Sequence, residues 1–430
     1  MTHPRPRVLA ACLSLLLIAL LALIPAAAQT APVPDSTRER VAAVYAGQPA
    51  APPPGPTAPS DQAARIVALM HEGMERYHLR AAIVRVTVDD RDVVTAALGE
   101  SMTGVPATTD MHFRNGAVAI SYVATLLLTL VDDGVLRLDD PLSIWLPELP
   151  DADRVTLKML ANMTAGYPDY VPDEQFQQDY YADPFRQWTP EGLLTFSLAQ
   201  PRLSAPGTNW DYSHANYIIL GLALEKATGR SVADLMQERV LGPLGLKDTA
   251  NSFTAAIPEP ALHAFSSERR VALGIPPGTR FYEESTFWNP SWTITHGATQ
   301  TTTIYDMAAT AVAIGEGTLL SPDSHRAQVG PDLLGFGSAL AGCRTCHTMA
   351  ERYNYGLGVV RSGDWLLQNP LFSGEAGVMA YLPGKKIAIA VAVTFGEGAF
   401  DAEGNYPNSG DTLFRAIAAL LAPDDAPPGP

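Results

Sequence analysis

The pattern of apolar and polar residues predicts one sheet built from both ends of the folded domain. Residues 66–77 repeat apolar side chains at helical spacing, and residues 84–88 then alternate valine with polar side chains, as a half-buried strand does. Towards the other end, larger apolar residues alternate with smaller ones over 387–395, after a Pro383-Gly384 turn. A last amphipathic helix begins near Ser409. These segments predict helices packed on a common sheet.

Between these ends, the sequence from about residue 117 to residue 250 is largely helical in pattern. Residues 117–131 are apolar nearly all round and are followed by Gly134, which predicts a buried central helix with a glycine at its C-terminal end. A second helix is predicted over 217–228, before Gly229. The predicted fold class is therefore α/β in the α+β sense: an antiparallel sheet flanked by helices and built from both chain ends, with a largely helical inserted subdomain.

The first 28 residues have the features of a secretory signal peptide. Arg5 and Arg7 precede an apolar run over 8–24, and small residues at 25–28 provide a cleavage site. We expect cleavage after Ala28. An uncleaved anchor helix is the alternative, because about 17 apolar residues are close to the shortest membrane span.

The remaining chain divides into three segments by composition. Residues 29–60 are rich in proline and predict an extended linker, residues 61–422 form the folded domain, and residues 423–430 form a C-terminal tail.

The charge of the chain restricts its partners. The formal net charge is −16, and removal of residues 1–28, which carry two arginines and no acidic residue, makes it more negative by two. This excess of negative charge argues against nucleic acid or anionic lipid as a partner. After signal cleavage we expect no membrane span, and a secreted, periplasmic or cell-envelope protein of bacterial type.

Two cysteines, Cys343 and Cys346, follow the signal segment. In an exported protein, two cysteines this close in sequence usually form a disulfide. Because His347 comes next, the segment also matches the C-x-x-C-H haem attachment pattern, so a metal, redox or haem role is the alternative. No cytochrome pattern surrounds it, and we therefore expect a disulfide, with no cofactor and no metal.

Residues 113–122 read F-R-N-G-A-V-A-I-S-Y. This segment resembles the F-R-x-G-S-x-x-K-S-F motif of the serine β-lactamase and penicillin-binding-protein family, which includes class C β-lactamases, D,D-peptidases and related esterases. The resemblance covers about residues 61–422 and implies the β-lactamase/transpeptidase fold. Further landmarks in family order are 136–141 (L-R-L-D-D-P), 164–170 (T-A-G-Y-P-D-Y), 206–208 (P-G-T), 216–221 (N-Y-I-I-L-G), 225–229 (E-K-A-T-G), 243–249 (P-L-G-L-K-D-T) and 355–358 (Y-G-L-G).

The resemblance also implies a chemistry whose residues are replaced here. In the family, a serine at the start of the buried helix attacks a carbonyl, and a lysine one turn later helps to remove its proton. The serine position is Ala117 and the lysine position is Ile120. Ser121 lies on the same helical face as Ala117, but we expect it to bond the preceding turn.

Two other family motifs are also altered. The Y-x-N motif reads Tyr212-Ser213-His214, so a tyrosine is kept and a histidine replaces the amide. We predict a pocket formed by Ala117, Ile120, Ser121, Tyr167, Tyr212 and His214, with Tyr170 as a further aromatic neighbour. The third motif, K-T-G or H-x-G in the family, falls on Gln368-Asn369-Pro370 without gaps, or on Ser373-Gly374-Glu375 after a shift in register.

These replacements predict a catalytically inactive relative that acts by binding in the cell envelope. Its partner is expected to be a peptidoglycan-derived peptide, a D-amino acid or an envelope protein. The alternative is an active serine hydrolase of the β-lactamase, D,D-carboxypeptidase or esterase type with a nonstandard nucleophile, for which Ser121 and His214 are the candidates.

Overall fold

The computed structural model describes residues 61–251, 254–294 and 300–429. The predicted signal peptide over 1–28 and the predicted linker over 29–60 lie outside these residues. None of the helices within the described ranges has the length and apolar character needed to cross a membrane.

Helices and short strands alternate along the domain. The helices are α1 Asp61–Arg76, α2 Val118–Asp132, α3 Leu157–Ala161, α4 Glu174–Ala182, α5 Pro190–Leu198, α6 His214–Thr228, α7 Val232–Met236, α8 Ile304–Glu316, α9 Pro322–Val329 and α10 Ser409–Leu421. The strands are β1 Leu79–Val88, β2 Arg91–Met102, β3 Val105–Pro106, β4 Phe113–Arg114, β5 Ala250–Asn251, β6 Phe265–Ser266, β7 Glu283–Glu284, β8 Gln300–Thr302, β9 Asn354–Tyr355, β10 Val360–Ser362, β11 Trp365–Gln368, β12 Leu371–Phe372, β13 Glu375–Leu382 and β14 Ile387–Phe395.

The main sheet joins the two ends of the domain, as the sequence predicts. Its strand order is β3-β2-β1-β14-β13-β11-β10-β9, with β12 paired to β13, and these pairings are antiparallel. The first and last strands meet at the centre, where Val84 lies opposite Val391. The predicted α+β architecture with an antiparallel sheet from both chain ends is therefore confirmed.

The centre of this sheet is more deeply buried than the alternation of residue sizes indicates. Helices α1 and α10 pack against each other and against the strands, and α8 packs on β1, β13 and β14. All nine residues of β14 are buried, so both faces of this strand are covered. In β1, Ala81 to Val84 are consecutively buried. Over 84–88, where the sequence predicts a half-buried strand, Arg85 and Val88 are partly exposed, but Thr87 is buried as well. Small alanines between the larger residues let helices approach both faces.

Helix α2 crosses the interior between the sheet and the helical part of the chain. Its residues from Val118 to Leu130 are all buried. It ends before Gly134, whose φ of 71° is a left-handed conformation that favours glycine. Gly229 ends α6 in the same way, with a φ of 68°. The sequence predicts both helix ends correctly, because at each glycine the backbone leaves the right-handed helical conformation for the left-handed one.

The C-terminal segment packs on the domain. The indole Nε1 of Trp365 donates to the carbonyl of Asp425 over 2.7 Å, and Arg415 donates to the carbonyl of Pro428 over 2.6 Å. The segment from residue 423, expected as a tail, is therefore held against β11 and α10.

Candidate functional site

A cavity lies where the N-terminus of α2 meets the strands β11 and β12. Its volume is about 260 Å³. It is lined by Gly116, Ala117, Tyr212, His214, Trp292, Thr293, Ile294, Tyr353, Val360, Gln368, Asn369, Pro370, Leu371 and Phe372. Three of the six predicted pocket residues, Ala117, Tyr212 and His214, are thus brought together.

Ala117 is the residue that directly precedes the central helix. It has φ −61° and ψ −11°, and it lines the cavity. The preceding residue, Gly116, has φ 48°, and a Cβ there would lie 2.6 Å from Pro370 Cβ and 2.7 Å from the ring of Phe372. Glycine is required at this position because backbone and cavity wall are in close contact.

Ile120 and Ser121 lie deeper along α2 and do not line the cavity. Both are buried, with the side chain of Ile120 among apolar core residues. The hydroxyl of Ser121 donates to the carbonyl of Val118 over 2.7 Å, which is the bond to the preceding turn that the sequence predicts. This placement corrects their assignment to the pocket, because one further helical turn carries a side chain into the core.

Tyr167 and Tyr170 are also absent from the cavity lining. The hydroxyl of Tyr167 donates to the carbonyl of Pro150 over 2.7 Å, and the Arg202 guanidinium covers its ring. The hydroxyl of Tyr170 donates to the carbonyl of Trp292 over 2.5 Å. Tyr167 is therefore not part of the predicted pocket, because its ring packs under Arg202. Tyr170 instead holds the backbone of Trp292, which lines the cavity.

The first residue of α6, His214, carries an imidazole held by a carboxylate. His214 Nδ1 lies 3.1 Å from Oδ1 and 3.2 Å from Oδ2 of Asp169, and the backbone N–H of His214 donates to Oδ1 over 3.1 Å. Both side chains are largely buried, with 16% and 14% exposed. No described residue bonds His214 Nε2. In the sequence, Asp169 belongs to the 164–170 landmark, and nothing in that motif indicated its contact with His214.

Aromatic side chains form much of the cavity wall. The ring of His214 lies 5.4 Å from that of Tyr212 and 5.9 Å from that of Trp292, and Trp292 lies 6.2 Å from Phe372. Tyr353 completes this set. Burial raises the pKa of Tyr212 well above its ordinary value, so its hydroxyl stays protonated at neutral pH. The sequence offered no signal for Trp292, Tyr353 or Phe372, because each comes from a different connecting segment or short strand.

The segment that aligns with the third family motif without gaps, 368–370, lines the cavity. Gln368, Asn369 and Pro370 all line it, whereas residues 373–375 do not. The carboxylate of Glu375 instead accepts the backbone N–H of Arg114 over 3.0 Å beneath the site. Burial raises the pKa of Glu375 to about 7, against the opposing charge of Arg114.

The segment that contains both cysteines is hydrogen-bonded to the segment that carries Tyr212. The sulfur atoms of Cys343 and Cys346 are 1.99 Å apart. Between them, the hydroxyl of Thr345 donates to Asp211 over 2.5 Å and accepts the backbone N–H of Tyr212 over 3.1 Å. Burial raises the pKa of Asp211 to about 6. Ligand atoms of Asp211 and the two cysteines lie within 4.8 Å of one another, but sulfurs at this separation are not free thiolates for a metal.

The sequence of this chain is similar to those of several known proteins. The chain is 32% identical over 193 residues to penicillin-binding protein 4 of Amycolatopsis lactamdurans, covering 43% of this chain and 47% of that protein. It is 29% identical to the D-alanyl-D-alanine-carboxypeptidase/endopeptidase AmpH of Escherichia coli strain K12, covering 38% and 43%. The chain thus spans about half, or less, of the length of the curated relatives that it matches.

Solved structures show the same fold over most of the chain. The D-amino acid amidase from Ochrobactrum anthropi SV3 in complex with L-phenylalanine amide superposes with a TM-score of 0.70 at 22% identity, covering 85% of this chain and 99% of that one. A penicillin binding protein from Bacillus halodurans has a TM-score of 0.61 at 20% identity, covering 82% and 98%. A family model described as Beta-lactamase matches residues 66–414. This protein therefore belongs to the Beta-lactamase family.

Proposed function

We propose that this protein has lost acyl transfer and acts by binding a small ligand in the cavity at the start of α2. The observation that carries the proposal is Ala117, which lines the cavity at the position of the family nucleophile. A methyl group forms no acyl-enzyme. Loss of a catalytic nucleophile typically costs on the order of 10⁶ in turnover.

The neighbouring side chains support the same conclusion. Ile120, at the lysine position, carries no proton to relay and is 1% exposed. Ser121 is fully buried, and its hydroxyl is engaged with Val118. A serine hydrolase that uses Ser121 would have to break this bond and move the hydroxyl out of the core. His214 is then the remaining candidate for a nonstandard nucleophile.

Binding without turnover remains feasible because backbone groups do not depend on side-chain identity. No described residue accepts a hydrogen bond from the backbone N–H of Ala117. Such an N–H at a helix start is suited to a carbonyl oxygen of a ligand. The cavity is then expected to hold a carbonyl compound that it does not cleave.

The setting of this activity is the bacterial cell envelope, reached by export with cleavage of residues 1–28. The ligand is a peptidoglycan-derived peptide, a D-amino acid or a segment of an envelope protein. Relatives support the first two classes: one is named a D-alanyl-D-alanine-carboxypeptidase/endopeptidase, and a D-amino acid amidase structure contains D-phenylalanine.

In that oxidising compartment, Cys343 and Cys346 form a disulfide that holds the segment next to Tyr212. The competing haem function is tested by absorbance: protein made in a host able to attach haem is expected to show no Soret band. A Soret band that survives denaturation would contradict the disulfide.

Covalent labelling tests the loss of acyl transfer. The purified protein is incubated with a penicillin and, separately, with a fluorophosphonate, and its intact mass is measured. The expected mass is unchanged with both reagents, because neither Ala117 nor buried Ser121 supplies a nucleophile. A covalent adduct would overturn the proposal, and the peptide that carries it would identify the nucleophile.

A further inference from the structure

We propose that, among the ligand classes proposed above, the cavity selects the amino end of a peptide, in which an ammonium group is joined to an aromatic or apolar group, over a free amino acid with its carboxylate. This inference rests on the proposed function, in which the cavity binds without acylation, and it adds the chemical class of the ligand. Charge, hydrogen bonding and aromatic contacts at the cavity each support it.

The charges around the cavity disfavour an anion. None of the described residues that line it is lysine or arginine. Two carboxyl groups lie behind its wall: Asp169 bonds His214, and Asp211 directly precedes Tyr212 in the chain. A ligand carboxylate would meet no cationic side chain among the described lining residues, and backbone N–H groups such as that of Ala117 would offset only part of the water that it loses.

The imidazole of His214 offers an acceptor to the ligand. Asp169 accepts from the backbone N–H of His214 and contacts its Nδ1 at 3.1 Å. In the neutral ring, this carboxylate favours the tautomer with hydrogen on Nδ1, because Asp169 accepts a hydrogen bond there. Nε2 then has a lone pair, and its ring lines the cavity. An N–H donor such as an ammonium group complements that lone pair.

Four aromatic side chains surround the same space: Tyr212, Trp292, Tyr353 and Phe372. The faces of aromatic rings attract cations, most strongly in tryptophan. Trp292 is held in place, because its carbonyl accepts the hydroxyl of Tyr170 over 2.5 Å. The rings also offer contact area to an apolar group. Such a wall suits a ligand with a cationic end and an apolar body.

The size of the cavity limits the ligand. At about 260 Å³, it lies near the lower end of the range for small-molecule sites. A derivative of a single amino acid or a simple aromatic amine is of suitable size. Three probes with the same phenylethyl body separate the effect of charge: 2-phenylethylamine, 3-phenylpropanamide and 3-phenylpropanoate.

Calorimetric titration of the purified protein with these probes tests the inference. We expect the amine to bind about tenfold or more tightly than the propanoate, with the neutral amide between them. Equal or tighter binding of the propanoate would overturn the ligand class. Failure of all three probes to bind would also overturn it. Neither result affects the loss of acyl transfer, which covalent labelling tests independently.

Two substitutions locate the effect in this cavity. Asp169→Asn is expected to weaken amine binding about tenfold and amide binding less, because the amide has an N–H donor but no charge, while Asp153→Asn, at an exposed carboxylate that neither lines the cavity nor bonds His214, changes neither. Should Asp169→Asn fail to fold, Leu371→Lys provides a second test. Leu371 lines the cavity and is 39% exposed, so the lysine is tolerated at the surface. It should weaken amine binding and strengthen propanoate binding. An unchanged ratio of the two affinities would contradict the inference.

Discussion

The carboxylate of Asp169 fixes His214 at two points. Its Oδ1 accepts the backbone N–H of His214 over 3.1 Å and lies 3.1 Å from Nδ1 of the same residue. One carboxylate therefore determines both the start of α6 and the orientation of the ring in the cavity.

This pair should be energetically coupled. We expect a double-mutant cycle of His214→Ala and Asp169→Ala to give a coupling free energy of about 1–3 kcal/mol, because both groups are largely buried and hydrogen-bonded. Urea unfolding of the four proteins measures it. The exposed pair Arg326 and Asp323 serves as a control and should couple by less than about 1 kcal/mol. A coupling near zero for His214 and Asp169 would contradict a structural role of the pair.

Acylation should return when both replaced side chains are restored. We expect Ala117→Ser with Ile120→Lys to form an adduct with a fluorophosphonate at least about 100-fold faster than Ala117→Ser alone, since the lysine supplies general-base assistance. Intact mass against time measures the rate, and circular dichroism verifies the fold. If the folded double variant stays unlabelled, the two positions are not sufficient for acyl transfer.

Gly116 should tolerate no side chain. Gly116→Ala is expected to destabilise the protein by about 1–3 kcal/mol more than Gly104→Ala. Both glycines have positive φ, but a Cβ at Gly104 meets no atom within 4 Å, whereas one at Gly116 overlaps Pro370 and Phe372. Denaturant unfolding of the two variants measures the difference. Equal losses would mean that the contact with the cavity wall is not tight.

Glu375 should make stability depend on pH. Burial raises the pKa of its carboxyl from 4.5 to about 7 in the folded protein. Between these values the folded state holds the proton more tightly than the unfolded state, so stability falls as pH rises from about 4.5 to 7 and then levels off.

Glu375→Gln removes this titration. Relative to the variant, the native protein should lose about 1–3 kcal/mol between pH 4.5 and 8, measured by urea unfolding at each pH. The pKa of about 7 already includes the opposing charge of Arg114. Parallel curves for the two proteins would show that Glu375 does not titrate in this interval.

The sequence predicted helices and strands correctly where the local pattern of apolar residues agrees with the order in which the segments are connected in the fold. The apolar run of α2, ended by Gly134, and the alternation over β14 predicted the buried helix and the sheet between them. Alternation over 84–88 also predicted a half-buried strand. Arg85 is partly exposed as expected, but Thr87 is buried because neighbouring strands and helices cover both faces of β1, a property of the assembled fold rather than of the segment.

The cavity was predictable only in its family positions. Ala117, Tyr212 and His214 line it, since motif spacing follows the backbone of the fold. Trp292 and Phe372 could not be located, because their approach depends on contacts between distant segments. Tyr167 appeared suitable by residue type, but its hydroxyl has a backbone partner elsewhere.

The pairing of β1 with β14 has a consequence for how the protein matures. Val84 and Val391 are neighbours in the sheet, yet roughly 300 residues of chain must be made before the second becomes available. An emerging chain therefore carries a strongly apolar strand that is paired only with β2 and has one open edge until synthesis is nearly complete. The sheet can close only after the last strand has been made, so the domain cannot finish folding before then, and the open edge of β1 needs protection from aggregation in the meantime.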